Sequence, residues 1–173
     1  VSRPVVVLIG PPGAGKSTVG RLLAAAWGVA FRDTDDDVEA ATGQSIADIF
    51  IEEGEEAFRA LEREAVVAAL TGHDGVLALG GGAVLDPATQ ADLAAHVVVF
   101  LDVSLAHAAP RVGLTASRPL LLGNPRARWK ALMEQRRRIY QSAATLMIST
   151  DGITAEEVAQ RVLDAIEALE EDA

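Results

Sequence analysis

Val5-Val6-Val7-Leu8-Ile9-Gly10-Pro11-Pro12-Gly13-Ala14-Gly15-Lys16-Ser17-Thr18 is the stretch around which the chain is organised. It reads as a buried strand, a glycine-rich turn and the first turn of a helix. Gly10, four residues, then Gly15-Lys16-Ser17 has the spacing of a phosphate-binding loop. Glycines let backbone N–H groups approach phosphate oxygens with no side chain in the way, and a helix that begins there adds its positive end. Lys16 can reach the outer phosphates, and the Ser17 hydroxyl can ligate Mg²⁺. Gly13, Ala14, Gly15, Lys16, Ser17 and Thr18 are therefore the candidate nucleotide-binding residues. The apolar positions Val19, Leu22, Leu23 and Trp27 continue the pattern as one face of a helix. A plain strand–helix turn could contain glycines, but here every motif position is filled and the flanks are right. The chain has only two lysines, Lys16 and Lys130, and one of them stands in this loop.

At 173 residues the chain is expected to form a single domain, residues 1–173, with a substantial core. Half its residues are apolar and only 4% aromatic, so Val, Leu, Ile and Ala must build the interior. It has no cysteine, which excludes disulfides, thiolate metal sites and a cysteine nucleophile. A net charge of −10 argues against a nucleic-acid partner or an anionic membrane held by bulk electrostatics. No apolar run reaches membrane-spanning length and no stretch reads as a signal peptide, so a cytoplasmic location is expected. An anionic substrate would then need local arginines.

Apolar runs alternate with helical patterns. Strands are expected at Val5–Ile9, Ala30–Asp33, Gly75–Leu79, His96–Leu101 and Thr145–Ser149. Several are continuous β-branched runs, as strands of a parallel sheet covered on both faces should be. Ser45-Ile-Ala-Asp48 and Thr154-Ala-Glu-Glu157 resemble capping boxes. Asp86-Pro87 and Asn124-Pro125 pair an N-cap with proline at the first helical position, and Gly28 and Gly72 read as helix stops. The expected fold is α/β: a three-layer sandwich with a five-stranded parallel sheet between helices, ligands lying at the carboxyl ends of the strands.

Arg32-Asp33-Thr34-Asp35-Asp36-Asp37 falls at that edge. One aspartate near Mg²⁺ and another near an acceptor hydroxyl would serve phosphoryl transfer, though acids also favour helix starts. Asp102, at the end of a later strand, is an equal candidate for the metal, or caps the helix near Ser104; spacing leaves this open. Arg59, four residues after Glu55, reads by itself as an ordinary surface ion pair. Gly80-Gly81-Gly82 fits a place where backbone faces a small ligand closely, since three glycines together cost backbone entropy. Arg118, between Gly113 and Gly123, reads as part of a lid. Arg136, Arg137 and Arg138 point in different directions around a helix, so one or two at most can share a site. His73, His96 and His107 show no ligand spacing and read as structural or exposed.

Taken together these motifs resemble the shikimate kinases, over about residues 4 to 150. The match rests on Gly10–Thr18, Asp33-Thr34-Asp35, Thr42-Gly-Gln-Ser-Ile-Ala-Asp-Ile-Phe50, Glu55-Glu-Ala-Phe-Arg59-Ala-Leu-Glu62, Gly80–Gly82, Arg118-Pro-Leu-Leu121 and Arg136-x-x-x-Tyr140. The resemblance implies a fold like that of the nucleoside-monophosphate kinases, ATP as phosphoryl donor with Mg²⁺, and phosphorylation of the 3-hydroxyl of shikimate on the route to chorismate. It implies that Asp35 contacts the shikimate hydroxyls and acts as base, and that Arg59 and Arg136 hold the carboxylate. Gly80, Gly81 and Gly82 would line the pocket, Ser17 and Asp33 serve Mg²⁺, Lys16 and Arg118 stabilise the transferring phosphoryl group, and Arg111 stack on adenine. It also implies a monomer with a substrate-binding region about 34–62 and a lid about 113–123. Some members of the family carry an arginine near the adenine after the last strand, where this chain has Thr150-Asp151-Gly152-Ile153. A gluconate kinase of the same fold would have no reason for two clamping arginines and the triple glycine; a nucleotide-dependent binding module without turnover would release no ADP.

Overall fold

The computed structural model describes residues 3–112 and 125–173. Five strands form one parallel sheet in the order β2-β3-β1-β4-β5: β1 (Val6–Ile9), β2 (Phe31–Asp33), β3 (Val76–Ala78), β4 (Val98–Asp102) and β5 (Leu146–Ser149). β1 is central because each of its four residues is apolar and buried, with β3 on one side and β4 on the other. The expected strands are all present. The fourth begins two residues later than its sequence suggested, at Val98, and runs one further, to Asp102.

The helices are α1 (Lys16–Trp27), α2 (Thr34–Thr42), α3 (Ile46–Glu52), α4 (Glu55–Gly72), α5 (Pro87–Leu93), α6 (Leu105–Val112), α7 (Pro125–Ala143) and α8 (Ala155–Glu171), with a 3₁₀ turn over Ala83–Leu85. Right-handed crossovers put α1 on one face of the sheet and the β2–β3, β3–β4 and β4–β5 connections on the other. α8 returns to pack beside α1. Side-chain caps start the helices as their sequences suggest: Ser45 accepts from the Asp48 N–H, Asp86 from Ala88 and Thr154 from Glu157. Gly28 ends α1 at φ 64°, a left-handed conformation that suits glycine.

The main core wraps the sheet. A separate small cluster, Val38, Ile49 and Phe58, joins α2, α3 and α4, with Phe50 and Phe58 ring centroids 4.8 Å apart. That cluster supports the sheet edge where Asp33 and Asp35 emerge. Among the described residues no helix is long and apolar enough to cross a membrane.

Gly75 precedes β3 at a point where β2 lies against it. A Cβ there would be driven onto the Ala30 carbonyl oxygen, which the Val76 N–H already uses at 2.9 Å. Gly72, at the end of α4, has open space around its Cβ position and no positive φ. Gly75→Ala should therefore cost about 1–3 kcal/mol, and Gly72→Ala should be neutral or stabilising by up to about 1 kcal/mol. Urea midpoints of the two variants check this ordering; equal midpoints would contradict it.

Candidate active site

The loop after β1 builds the phosphate end. Gly10 lies at φ 151° and packs so closely on β4 that a Cβ would meet the Leu101 carbonyl oxygen. Gly13 and Gly15 follow at φ 85° and 87°, and α1 starts from Gly15 with no side-chain cap. Its first-turn N–H groups thus face a cavity of about 380 Å³ lined by Gly13, Gly15, Lys16, Ser17, Thr18, Asp33 and Asp35. Lys16 Nζ donates to the carbonyls of Gly10 at 2.8 Å and Pro11 at 3.2 Å, so its charge is held at the mouth of the loop.

Asp33 does two things that sequence alone presented as alternatives. Its Oδ1 caps α2 by accepting from the Asp35 N–H at 2.8 Å, and its Oδ2 accepts from Ser17 Oγ at 3.1 Å. Burial raises its pKa, and the Asp35 N–H opposes that rise. Ser17 and Asp33 are hard oxygen donors on one cavity wall, a donor set that suits Mg²⁺ completed by phosphates and water. Asp102, the other candidate, is 2.6 Å from Arg137 Nη1 in an ion pair. The remaining aspartates are outside the site: Asp36 is exposed and Asp37 pairs with Arg32 at 2.7 Å.

Asp35 stands at the junction. Burial, with Asp33 and then Glu62 as further causes, pushes its carboxyl from about 3.8 to about 7. It lines both the phosphate cavity and a second, smaller cavity of about 120 Å³ formed by Pro12, Asp35, Arg59, Glu62, Gly82 and Arg136 with the aromatic ring of Phe50. Pro12 and Gly81 are also common to the two.

The triple glycine has a steric cause. A Cβ on Gly80 would overlap the Asp35 and Glu62 carboxylates, and one on Gly82 would overlap the Arg59 guanidinium. Gly81 lies between Pro12 and Arg136, and its carbonyl accepts from the Tyr140 hydroxyl at 2.5 Å. The Gly80 N–H does not face the cavity but donates to buried Thr34 Oγ1 at 3.1 Å. The turn makes room for charged side chains as much as it offers its own backbone.

Arg59 is not only the surface partner of Glu55, which lies 3.5 Å away; its Nη1 also donates to Glu62 Oε1 at 2.8 Å. Glu62 is 3% exposed. Its pKa is raised by burial and drawn back by Arg59. Arg136, 4% exposed, comes from α7 on the opposite side. Thus two cations, Arg59 and Arg136, and two acids, Asp35 and Glu62, line the second cavity; the paired guanidinium groups suit a carboxylate. Sequence reasoning had given no separate role to Glu62, Thr34 or Tyr140. A signal for Glu62 existed: it interrupts the buried stripe Phe58, Val66, Ala69, Leu70 of α4.

A third cavity, about 180 Å³, continues from Gly15 and Thr18 to Val19, Thr150, Ile153, Ala155 and Val158. Its mostly apolar lining suits a nucleobase. Arg111 lies in α6, but its side chain is outside the described residues, as are Arg118 and the whole stretch 113–123 expected to form a lid. His73 is buried and its Nε2 donates to the Val76 carbonyl at 3.0 Å, a structural role.

The family model described as shikimate kinase matches residues 12–167. A shikimate kinase of Thermobifida fusca is 59% identical over 167 residues, covering 96% of this chain and 97% of the relative. The structure of shikimate kinase from Acinetobacter baumannii in complex with shikimate superposes with a TM-score of 0.91 at 34% identity, covering 97% of this chain and 94% of that one. A gluconokinase from Sinorhizobium meliloti shares the fold, with a TM-score of 0.61 at 18% identity over 98% of this chain and 94% of that one.

The raised pKa of Asp35 has a consequence for stability. The folded state holds its proton more tightly than the unfolded chain does, so its contribution is full below about pH 4 and is lost as pH rises through about 7. Asp35→Asn cannot ionise. In metal-free protein it should exceed the parent in stability by on the order of 1–2 kcal/mol near pH 8, and the gain should vanish toward pH 4. Urea unfolding across that range checks the sign; a gain independent of pH would contradict it.

Proposed function

The chain belongs to the shikimate kinase family, and from that premise we propose that it transfers the γ-phosphoryl group of ATP to the 3-hydroxyl of shikimate, giving shikimate 3-phosphate and ADP. The observation that carries this reading is the shared wall of the two cavities. Asp35 borders both the space over the phosphate loop and the arginine-lined space beside Gly80–Gly82. An acceptor bound in the second is presented to a phosphate bound in the first.

In this reading the shikimate carboxylate lies between Arg59 and Arg136, with Glu62 holding Arg59 in place. Two cations pin the ring from one end, and the hydroxyl end meets Asp35. A carboxyl with a pKa near 7 in the free protein is matched to accepting a proton at neutral pH. The hydroxyl oxygen attacks the γ-phosphorus, the bond to the β–γ bridging oxygen breaks, the proton passes to Asp35 and ADP leaves. Lys16 leaves the loop carbonyls for the phosphates and offsets negative charge as it spreads over the transferring group. Ser17 and Asp33 would hold Mg²⁺, which supplies charge neutralisation across the phosphates. From the sequence, Arg118 is assigned to the same phosphoryl group, Arg111 to the adenine face and 113–123 to a lid.

The reading includes a monomer: a single kinase domain over 1–173 with its acceptor-binding region at about 34–62, acting in the cytoplasm on small molecules and not on nucleic acid or membranes.

The test is ADP release measured with shikimate, gluconate and nucleoside monophosphates side by side; turnover is expected with shikimate alone, and equal rates with gluconate would overturn the assignment. Arg59→Ala and Arg136→Ala should each raise the KM for shikimate by roughly 30-fold or more and leave the KM for ATP within about threefold. Asp35→Asn should lower kcat by at least about 100-fold with ATP affinity little changed. Near-normal turnover by Asp35→Asn would remove Asp35 as base.

A further inference from the structure

The three adjacent arginines of α7 end in three settings. Arg136 is buried in the acceptor cavity, Arg138 is exposed, and Arg137 is half-buried with its Nη1 2.6 Å from Asp102 Oδ2. The reading above uses only the first.

Arg136 shares a side-chain hydrogen bond with Tyr140 of its own helix, so the two move with α7 together. The Nε of Arg136 is buried and has no partner. A guanidinium in that state takes its direction from the helix beneath it, so the roll of α7 about its axis decides where the charge points. Tyr140, one turn on and on the same face as Arg136, is tied to the Gly81 carbonyl at 2.5 Å. Trp129, nearer the start of the helix, is tied to the Pro12 carbonyl by a longer bond of 3.4 Å. A helix held along one face can still roll about that line. Arg137 projects about 100° further round, and its ion pair supplies a hold from a second direction. The anchor is firm: Asp102 ends β4, and its carbonyl accepts both the N–H and the hydroxyl of Thr150, each at 2.9 Å.

We propose that Arg137 is a positioning residue, whose ion pair with Asp102 sets the roll of α7 that aims Arg136 into the acceptor cavity. This rests on the reading of that cavity as the shikimate carboxylate site. The opposing view is an incidental surface pair, which would contribute little to anything.

Steady-state kinetics separates the two. The parent enzyme is assayed first; failure to phosphorylate shikimate would sink the functional reading itself. In an active parent, Arg137→Ala and Asp102→Asn should each raise the KM for shikimate about three- to tenfold, with kcat and the KM for ATP within about twofold. Arg137→Lys should recover most of the loss. The double variant should be no worse than the poorer single one, because the pair is already broken. Unchanged shikimate KM, equal rises for both substrates, or losses that add in the double variant would each overturn the proposal. Should Arg137→Ala fold poorly by its urea midpoint, Arg137→Gln with Asp102→Asn makes the same comparison.

Discussion

The acceptor end of this protein is governed by space. Asp35, Glu62 and Arg59 converge on the turn Gly80–Gly82, and their carboxylate and guanidinium groups occupy the volumes where side chains at Gly80 and Gly82 would be. Adding one methyl group to either position would push a charged group out of place. The turn gives up backbone entropy, and in return two acids and a cation can approach from different helices. Thr34 and Tyr140 hold the turn from opposite sides, through the Gly80 N–H and the Gly81 carbonyl. The proposed acceptor site therefore depends on positions that contribute no side chain.

The same crowding explains the electrostatics. The chain carries a net charge of −10, yet it must bind two anions. It does so by concentrating cations where they are needed and by keeping acids there only in paired or perturbed form. Glu62 is buried against Arg59; Asp33 is engaged by Ser17 and by a backbone N–H; Asp35 is left between them with a pKa near 7. A carboxyl arranged this way is a stability cost at neutral pH that packing elsewhere must offset, a common property of reactive groups.

Much of the fold was legible in the sequence because it rests on local pattern. The phosphate loop, the five strands and the helix starts capped by Ser45, Asp86 and Thr154 are short-range signals, and each appears within two residues of where its sequence suggested. The site was legible residue by residue but not in its connections. Nothing near Arg59 says that its stronger partner is Glu62 rather than Glu55, although an acid within the apolar stripe of α4 was a clue. Nothing near Arg137 says that it reaches Asp102, thirty-five positions away. The triple glycine was read as a backbone surface for a ligand; Gly81 and Gly82 do line the acceptor cavity, and what the sequence did not show is the space the turn also clears for side chains brought in from α2 and α4. Contacts of this kind exist only once the sheet has brought its strand ends together.

The central claim is that a phosphate in one cavity and a hydroxyl in the next meet at Asp35. The most direct measurement is phosphorus NMR of the enzyme with ATP, Mg²⁺ and shikimate, followed by location of the ester on the sugar-like ring through its proton coupling. The account predicts a phosphomonoester at the 3-position appearing in step with ADP. Release of inorganic phosphate without an ester, or an ester at another hydroxyl, would contradict it.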